Sequence, residues 1–199
     1  MLAAATAMIA HSGDAGSLTL RAVAREVGVA ATSIYLHFES VEALLAEVKA
    51  RRFEELSRYL TAASAAAGAD PVARLRARAH AYVRYGAERP GEYVVMFAAR
   101  LVPQGGVATR VTTAAELFDV LVEDLMAVRR RGRAPMDRAE ASMVAFHLWT
   151  ALHGTVSLRL VRPLMQWPEI GAEVDDLVDR LLALPRAKDP HPVATGGAE

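Results

Sequence analysis

Thr32, Ser33, Tyr35 and His37 fall within six positions of one another in the stretch "VGVAATSIYLHF", residues 27–38. Short hydroxyls of this kind can reach base edges or a thymine methyl in a groove of duplex DNA, and a phenol or an imidazole can hydrogen-bond phosphate oxygens. To act together they must stand on one outward face of a short helix held from behind by apolar residues. Val23, Ala24, Val27, Val29, Ile34 and Phe38 supply that inner face. Ala24 lets two helices approach, Gly28 turns the chain and Ile34 pins the second helix, which is the layout of a helix-turn-helix. Tyr35 and His37 fit equally well as partly buried struts.

The elements around this stretch are helical, and the expected fold class is all-α. Residues 2–12 read as a short apolar helix stopped by "SGDAGS". Thr19 caps a helix over 20–27, Gly28 ends it in the left-handed conformation, and a second short helix covers about 31–37. Ser40 caps a longer helix carrying Leu44, Leu45, Val48, Phe53, Leu56 and Leu60 as far as about residue 60, after which "TAASAAAGAD" loosens the chain. Asp70-Pro71 opens the next helix, up to "ERPGE". A short helix over 91–101 is broken by "PQGG", and Val111, Ala114, Phe118, Leu121, Leu125 and Val128 mark another that ends at "RRRGR", residues 129–133. Asp137 and Glu140 form a capping box for a helix over 138–162, and a last helix runs over about 169–184, where Glu173, Asp175, Asp176 and Asp179 read as a solvated face. Residues 186–199 read as disordered.

Residues 18–45, "LTLRAVAREVGVAATSIYLHFESVEALL", resemble the DNA-binding domain of TetR-type transcriptional regulators through their "GV…IY.HF…..LL" core. "LWTALHG", residues 148–154, resembles a "W…HG" signature in the regulatory domain of some of these proteins. The resemblance implies a homodimer that binds a pseudo-palindromic double-stranded DNA operator, usually to repress, and releases it when a small molecule occupies the C-terminal domain. It implies base contacts from Thr32 and Ser33 and phosphate contacts from Tyr35 and His37, with Thr19 and Arg21 adding backbone contacts. It also divides the chain into a helix-turn-helix domain over 1–47 and a ligand-binding and dimerisation domain over 48–185. Ala30 replaces the usual hydroxyl cap, Val41 the usual phosphate-binding lysine, and the usual basic arm before the first helix is missing. These departures imply weak non-specific binding with a shallow salt dependence.

In the C-terminal part, Tyr82, Tyr85, Met96, Phe97, Phe118, Met143, Phe146, Trp149 and His153 form a candidate lining for a mostly apolar pocket, though any one of them also fits as plain core. Trp149 and His153, four apart on one helical face, could hold a ligand together. Such a pocket suits a largely apolar effector. The helix 138–162 is apolar nearly all round, so it must be covered on two faces. One face would close the pocket; the other, with helix 169–184, would pack on a second copy, with Ala145, Ala151 and Gly154 permitting close approach.

Composition excludes other classes. The 199-residue chain has 53% hydrophobic residues, 23 basic against 23 acidic side chains and no cysteine, so thiolate metal sites and cysteine nucleophiles are out. The zero net charge gives no global pull towards nucleic acid. No metal site and no cofactor are expected, since His147 and His153 are six apart on different faces. "MLAAATAMIA" lacks a basic flank and reads as a buried helix rather than a signal peptide. No apolar run reaches the length of a membrane span, so a cytoplasmic protein without a membrane partner is expected. Two alternatives stay open: a scaffold of the same fold without DNA contacts, and an all-α enzyme using His147 or His153. Nothing in the sequence resembles a nucleophile–base pair, a phosphate loop or paired acid/base carboxylates.

Overall fold

Local signals in the sequence fix most helix starts. The computed structural model describes residues 1–12, 15–97, 112–130 and 135–183. Among the described residues the chain is helical, without strands: α1 (Leu2–Ser12), a 3-10 turn (Ala15–Ser17), α2 (Leu20–Val27), α3 (Ala31–Tyr35), α4 (Val41–Ala66), α5 (Pro71–Glu88), α6 (Pro90–Phe97), α7 (Thr112–Arg130), α8 (Arg138–Val161) and α9 (Ile170–Ala183). Each expected cap is formed. Thr19, Ser40 and Asp70 accept from the N–H groups of Ala22, Ala43 and Ala73 at 3.1, 3.1 and 3.0 Å. Asp137 and Glu140 close their capping box from both sides, satisfying N–H groups that have no partner inside the helix.

Two boundaries differ from expectation. α3 ends at Tyr35, because the N–H groups of His37 and Phe38 both turn back to the Ile34 carbonyl. α4 continues to Ala66, through the stretch read as loose. Alanine is the strongest helix former, and α5 packs along this part of α4, with Arg74 Nε donating to the Ser64 hydroxyl at 3.4 Å. Gly68, at φ +81°, reverses the chain. The later part of the helix expected over 91–101, the "PQGG" break, Val111, Arg131 to Arg133 and the tail 186–199 lie outside the described residues.

The buried apolar residues gather into two cores. A front core joins α1 to α4 around Ile9, Val23, Ile34, Leu44 and Val48. A rear core joins α4 to α9 around Leu56, Leu75, Tyr85, Leu125, Leu148 and Val156. Two helices serve both. α4 gives Leu44 and Val48 to the front and Leu56 and Leu60 to the rear, so the boundary drawn at residues 47/48 falls inside one continuous helix. α6 gives Val95 to the front and Tyr93 and Met96 to the rear. Its Gly91 lies against α1 so closely that a Cβ there would stand 2.5 Å from the Ala10 Cβ.

α8 buries Ala141, Ala145, Leu148, Leu152 and Val156 in its own chain and leaves Met143, Phe146, Leu158 and Val161 exposed. Ala145 therefore faces the chain's own core, whereas Gly154 faces open space. The acidic residues of α9 do more than meet solvent. Asp175 takes Arg76 and His80 of α5 at 2.7 and 2.8 Å, and Glu173 takes Arg159 of α8 at 2.7 Å. His80 and then Arg76 hold the Asp175 carboxyl below its ordinary pKa. Among the described residues no helix is long and apolar enough to cross a membrane.

Candidate functional site

At the front, α2 and α3 meet through a turn whose backbone demands glycine. Gly28 has φ +77° and ψ +30°, a conformation that costs other residues dearly. The N–H groups of Gly28 and Val29 close the end of α2 by donating to Arg25 and Ala24 at 3.2 and 3.0 Å, in the manner of a Schellman cap. Ala30 starts α3 with no side-chain cap. Ile34, fully buried, anchors α3 against α2 and α4. On the opposite side Thr32 and His37 are exposed, Ser33 is partly covered and Tyr35 is 50% exposed. Thr19 and Arg21 are exposed at the start of α2. The structure thus leaves all six residues at the surface of the α2–α3 unit. Leu36, 85% exposed beside Tyr35, was not singled out in the sequence; its only signal was an apolar residue directly between two polar ones.

At the rear, α4, α5, α6, α7 and α8 line a partly open pocket of about 460 Å³, within the usual range for small-molecule sites. Phe53, Leu56 and Leu60 of α4 form one wall, Arg78, Ala79 and Tyr82 of α5 another, and Phe97 of α6 reaches in. Phe118 and Leu121 of α7 face Phe146, Trp149 and Leu152 of α8. Phe118 packs on Phe146 at 4.4 Å and on Trp149 at 6.4 Å between ring centroids.

Five of the nine candidate lining residues therefore reach the cavity: Tyr82, Phe97, Phe118, Phe146 and Trp149. The other four are placed elsewhere. Tyr85 is buried away from it, bonded to Glu92 at 3.2 Å and covered by the Arg89 guanidinium. Met96 is core, and Met143 is exposed on the outer face of α8. His153 stands one layer back, behind Tyr93 and Phe97. The lining that went unnoticed was visible as spacing. Phe53, Leu56 and Leu60 share a face of α4, and Arg78 interrupts the apolar stripe Leu75–Ala79–Tyr82 of α5.

The polar groups near the cavity fall into two sets. In the first, Trp149 Nε1 donates to the Tyr82 hydroxyl at 3.3 Å. That hydroxyl lies 3.1 Å from the Tyr93 hydroxyl, which lies 2.6 Å from His153 Nδ1. His153 Nε2 is 3.2 Å from the Ser157 hydroxyl. Burial pushes the Tyr82 phenol up to about 12 and Tyr93 well above the ordinary tyrosine range. Burial also holds the His153 imidazole below its usual value, so all three are neutral near pH 7. One direction of donation then satisfies every link: Trp149 to Tyr82, Tyr82 to Tyr93, Tyr93 to His153 Nδ1, His153 Nε2 to Ser157. In the second set, Arg78 Nε donates to Asp124 at 2.6 Å, with side chains only 7% and 15% exposed. Among the described residues no cluster of three histidine or acidic side chains could hold a metal ion.

A helix-turn-helix joined to a helical domain with an apolar pocket defines the class of regulator that reads DNA with one end. Comparison with known proteins agrees. Residues 1–48 match the model of bacterial regulatory proteins of the tetR family. Residues 75–184 match the tetracyclin repressor-like C-terminal domain. The chain belongs to the tetR family and is a DNA-binding transcriptional regulator; members of this family dimerise. It is 28% identical over 167 residues to an uncharacterised HTH-type transcriptional regulator of Mycobacterium tuberculosis, covering 84% of this chain and 72% of that one. A solved protein of unknown function from Rhodococcus sp. RHA1 is 26% identical, with a TM-score of 0.76 over 90% of each chain. A regulator FadR from Bacillus subtilis, solved in complex with stearoyl-CoA, shares the fold with a TM-score of 0.67 at 16% identity, over 92% of this chain and 96% of that one.

Proposed function

We propose that the protein is a ligand-responsive repressor of the cytoplasm, which binds a pseudo-palindromic operator as a homodimer and leaves it when a largely apolar molecule enters the rear cavity. The observation that carries this reading is α6. Its C-terminal Phe97 lines the cavity, while Val95, about half a turn back, and Gly91, nearly two turns back, sit in the packing against α1 and α4 of the front core. A ligand that displaces Phe97 moves the helix on which the front unit rests. The operator is lost if the two recognition helices no longer match major-groove turns about 34 Å apart. The Bacillus subtilis FadR solved with stearoyl-CoA, an amphiphile with a long hydrocarbon chain, supports a ligand with a large apolar part in this fold.

In this reading Thr32 and Ser33 meet base edges, Tyr35, His37, Thr19 and Arg21 meet the backbone, and Leu36 is available to a thymine methyl. Residues 1–47 act as the reading domain and 48–185 as the sensing and dimerising domain. The exposed stripe Met143, Phe146, Leu158 and Val161 of α8 supports pairing with the same face of a second copy, with α9 alongside. The test is binding of the protein to DNA from its own upstream region, followed by titration with medium-chain ketones, alcohols and acids. Selective binding should fall about tenfold or more when Thr32, Ser33 and Tyr35 become alanine. Unchanged binding by that variant overturns the assignment of the reading face, and DNA that no apolar compound releases overturns the ligand response.

A further inference from the structure

From Gly28 to Phe38 the chain reads "GVAATSIYLHF", with no arginine, lysine, asparagine, glutamine, aspartate or glutamate. Those are the side chains that identify guanine, adenine or cytosine by hydrogen bonds in the major groove. The nearest residues of these types in the sequence, Glu26 and Glu39, stand on α2 and beyond the end of α3. The centre of the outward face of α3 is largely apolar instead. Leu36 follows α3 with its backbone still right-handed helical, at φ −70° and ψ −20°. It therefore lies one turn from Thr32, and both stand on the side opposite the fully buried Ile34. Leu36 is 85% exposed, and Ala30, Ala31 and Thr32 are exposed beside it.

A hydroxyl both donates and accepts, so Thr32 and Ser33 by themselves leave the choice of base pair open. The base edge that an aliphatic side chain distinguishes is that of thymine, through its C5-methyl group. We infer that the operator is selected by that methyl: each half-site carries a thymine at the base pair facing Leu36, its C5-methyl packed against the Leu36 side chain and the Thr32 methyl. The contact buries apolar surface and releases no counterions, so it does not weaken with salt as phosphate contacts do. It gives sequence selectivity to a reading head whose assigned DNA contacts include one arginine and no lysine.

This inference rests on the assignment of α3 as the reading element, and the test separates the two. The full chain is used to select binding sites from random-sequence DNA duplexes. Each thymine of the recovered site is then replaced by uracil, which lacks only the methyl. The expected result is one thymine per half-site whose replacement weakens binding about fourfold, and about 15-fold when both half-sites are changed, the effect of one buried methyl in each. 5-Methylcytosine at that position should bind better than cytosine. The preference for thymine over uracil should hold between about 50 and 200 mM salt. It should vanish in Leu36→Ala, which leaves the core intact because the side chain is exposed, and survive in Leu36→Met. A defined site in which uracil binds as well as thymine at every position overturns the methyl selection and leaves α3 as the reading element. A thymine preference undiminished in Leu36→Ala overturns the role of Leu36. Selection that enriches no sequence overturns selective reading by α3 itself.

Discussion

The front and rear cores are built from similar aliphatic side chains and filled differently. In the front, Ile9, Val23, Ile34, Leu44 and Val48 are at most 1% exposed and hold three short helices at one fixed geometry. In the rear, aromatic and leucine side chains surround about 460 Å³ of space. Side chains facing a void have no partner atoms on that side and forgo the dispersion attraction there. A reading head must present its side chains at a constant angle, and a sensor must have somewhere for a ligand to go. The same kinds of residue serve both ends because spacing, not composition, decides whether facing helices interdigitate.

One substitution made at both ends gives the largest expected effect. Leu44 is fully buried in the front core, and Leu60 lines the cavity. Leu44→Ala should cost about 3–5 kcal/mol and Leu60→Ala nearer 2 kcal/mol, because truncation costs most where it opens a new void in tightly packed surroundings. Urea unfolding followed by helix content reads both. Equal losses would mean that the two cores are equally well packed.

Two glycines probe how the ends are joined and how copies meet. Gly91→Ala places a Cβ 2.5 Å from the Ala10 Cβ at the α1–α6 joint. Overpacking there should exceed the gain in helix propensity, giving a net loss of about 1–2 kcal/mol and altered DNA affinity. Gly154→Ala meets nothing within 4 Å in the chain, so the single subunit should gain up to about 1 kcal/mol. If α8 of a second copy packs there, the same change weakens the dimer, which sedimentation at falling concentration would show. A stabilised variant with unchanged dimerisation would move the interface away from Gly154.

The two ends also differed in how far they could be read from the sequence. Front elements announce themselves, since Thr19, Gly28 and Ser40 act within a few residues, and the α2, α3 and α4 starts follow from them. The rear could not be read so far. Tyr82, Phe97, Phe118, Phe146 and Trp149 were legible as pocket candidates because large aromatic residues on apolar faces are few. Tyr85, Met96 and Met143 looked the same, and only packing distinguishes core, cavity wall and outer face. Arg78 was missed because a lone arginine in a helix reads as a solvated one until its partner, 46 residues away, is known. Tyr93 was missed because its role is set by Tyr82 and His153, which stand on two other helices.

The smallest expected effect concerns His153, and its sign follows from burial. Its folded pKa lies below the ordinary value of 6.5. Between the folded and unfolded pKa the unfolded chain binds more protons, so stability rises with pH there. The contribution is fully present above about pH 6.5 and is lost as pH falls towards the folded pKa. Protonation at Nδ1 would also place a donor against the Tyr93 hydroxyl, 2.6 Å away, and reverse the chain of donors up to Tyr82. His153→Gln keeps an amide between Tyr93 and Ser157 without a titrating ring. Unfolding free energies measured from pH 7.5 down to 5 should fall less steeply for this variant than for the parent chain, the other five histidines being common to both. Parallel pH profiles would show that the proton taken up on unfolding in this range belongs to another group, and that Tyr82 and Tyr93 keep their orientation across it.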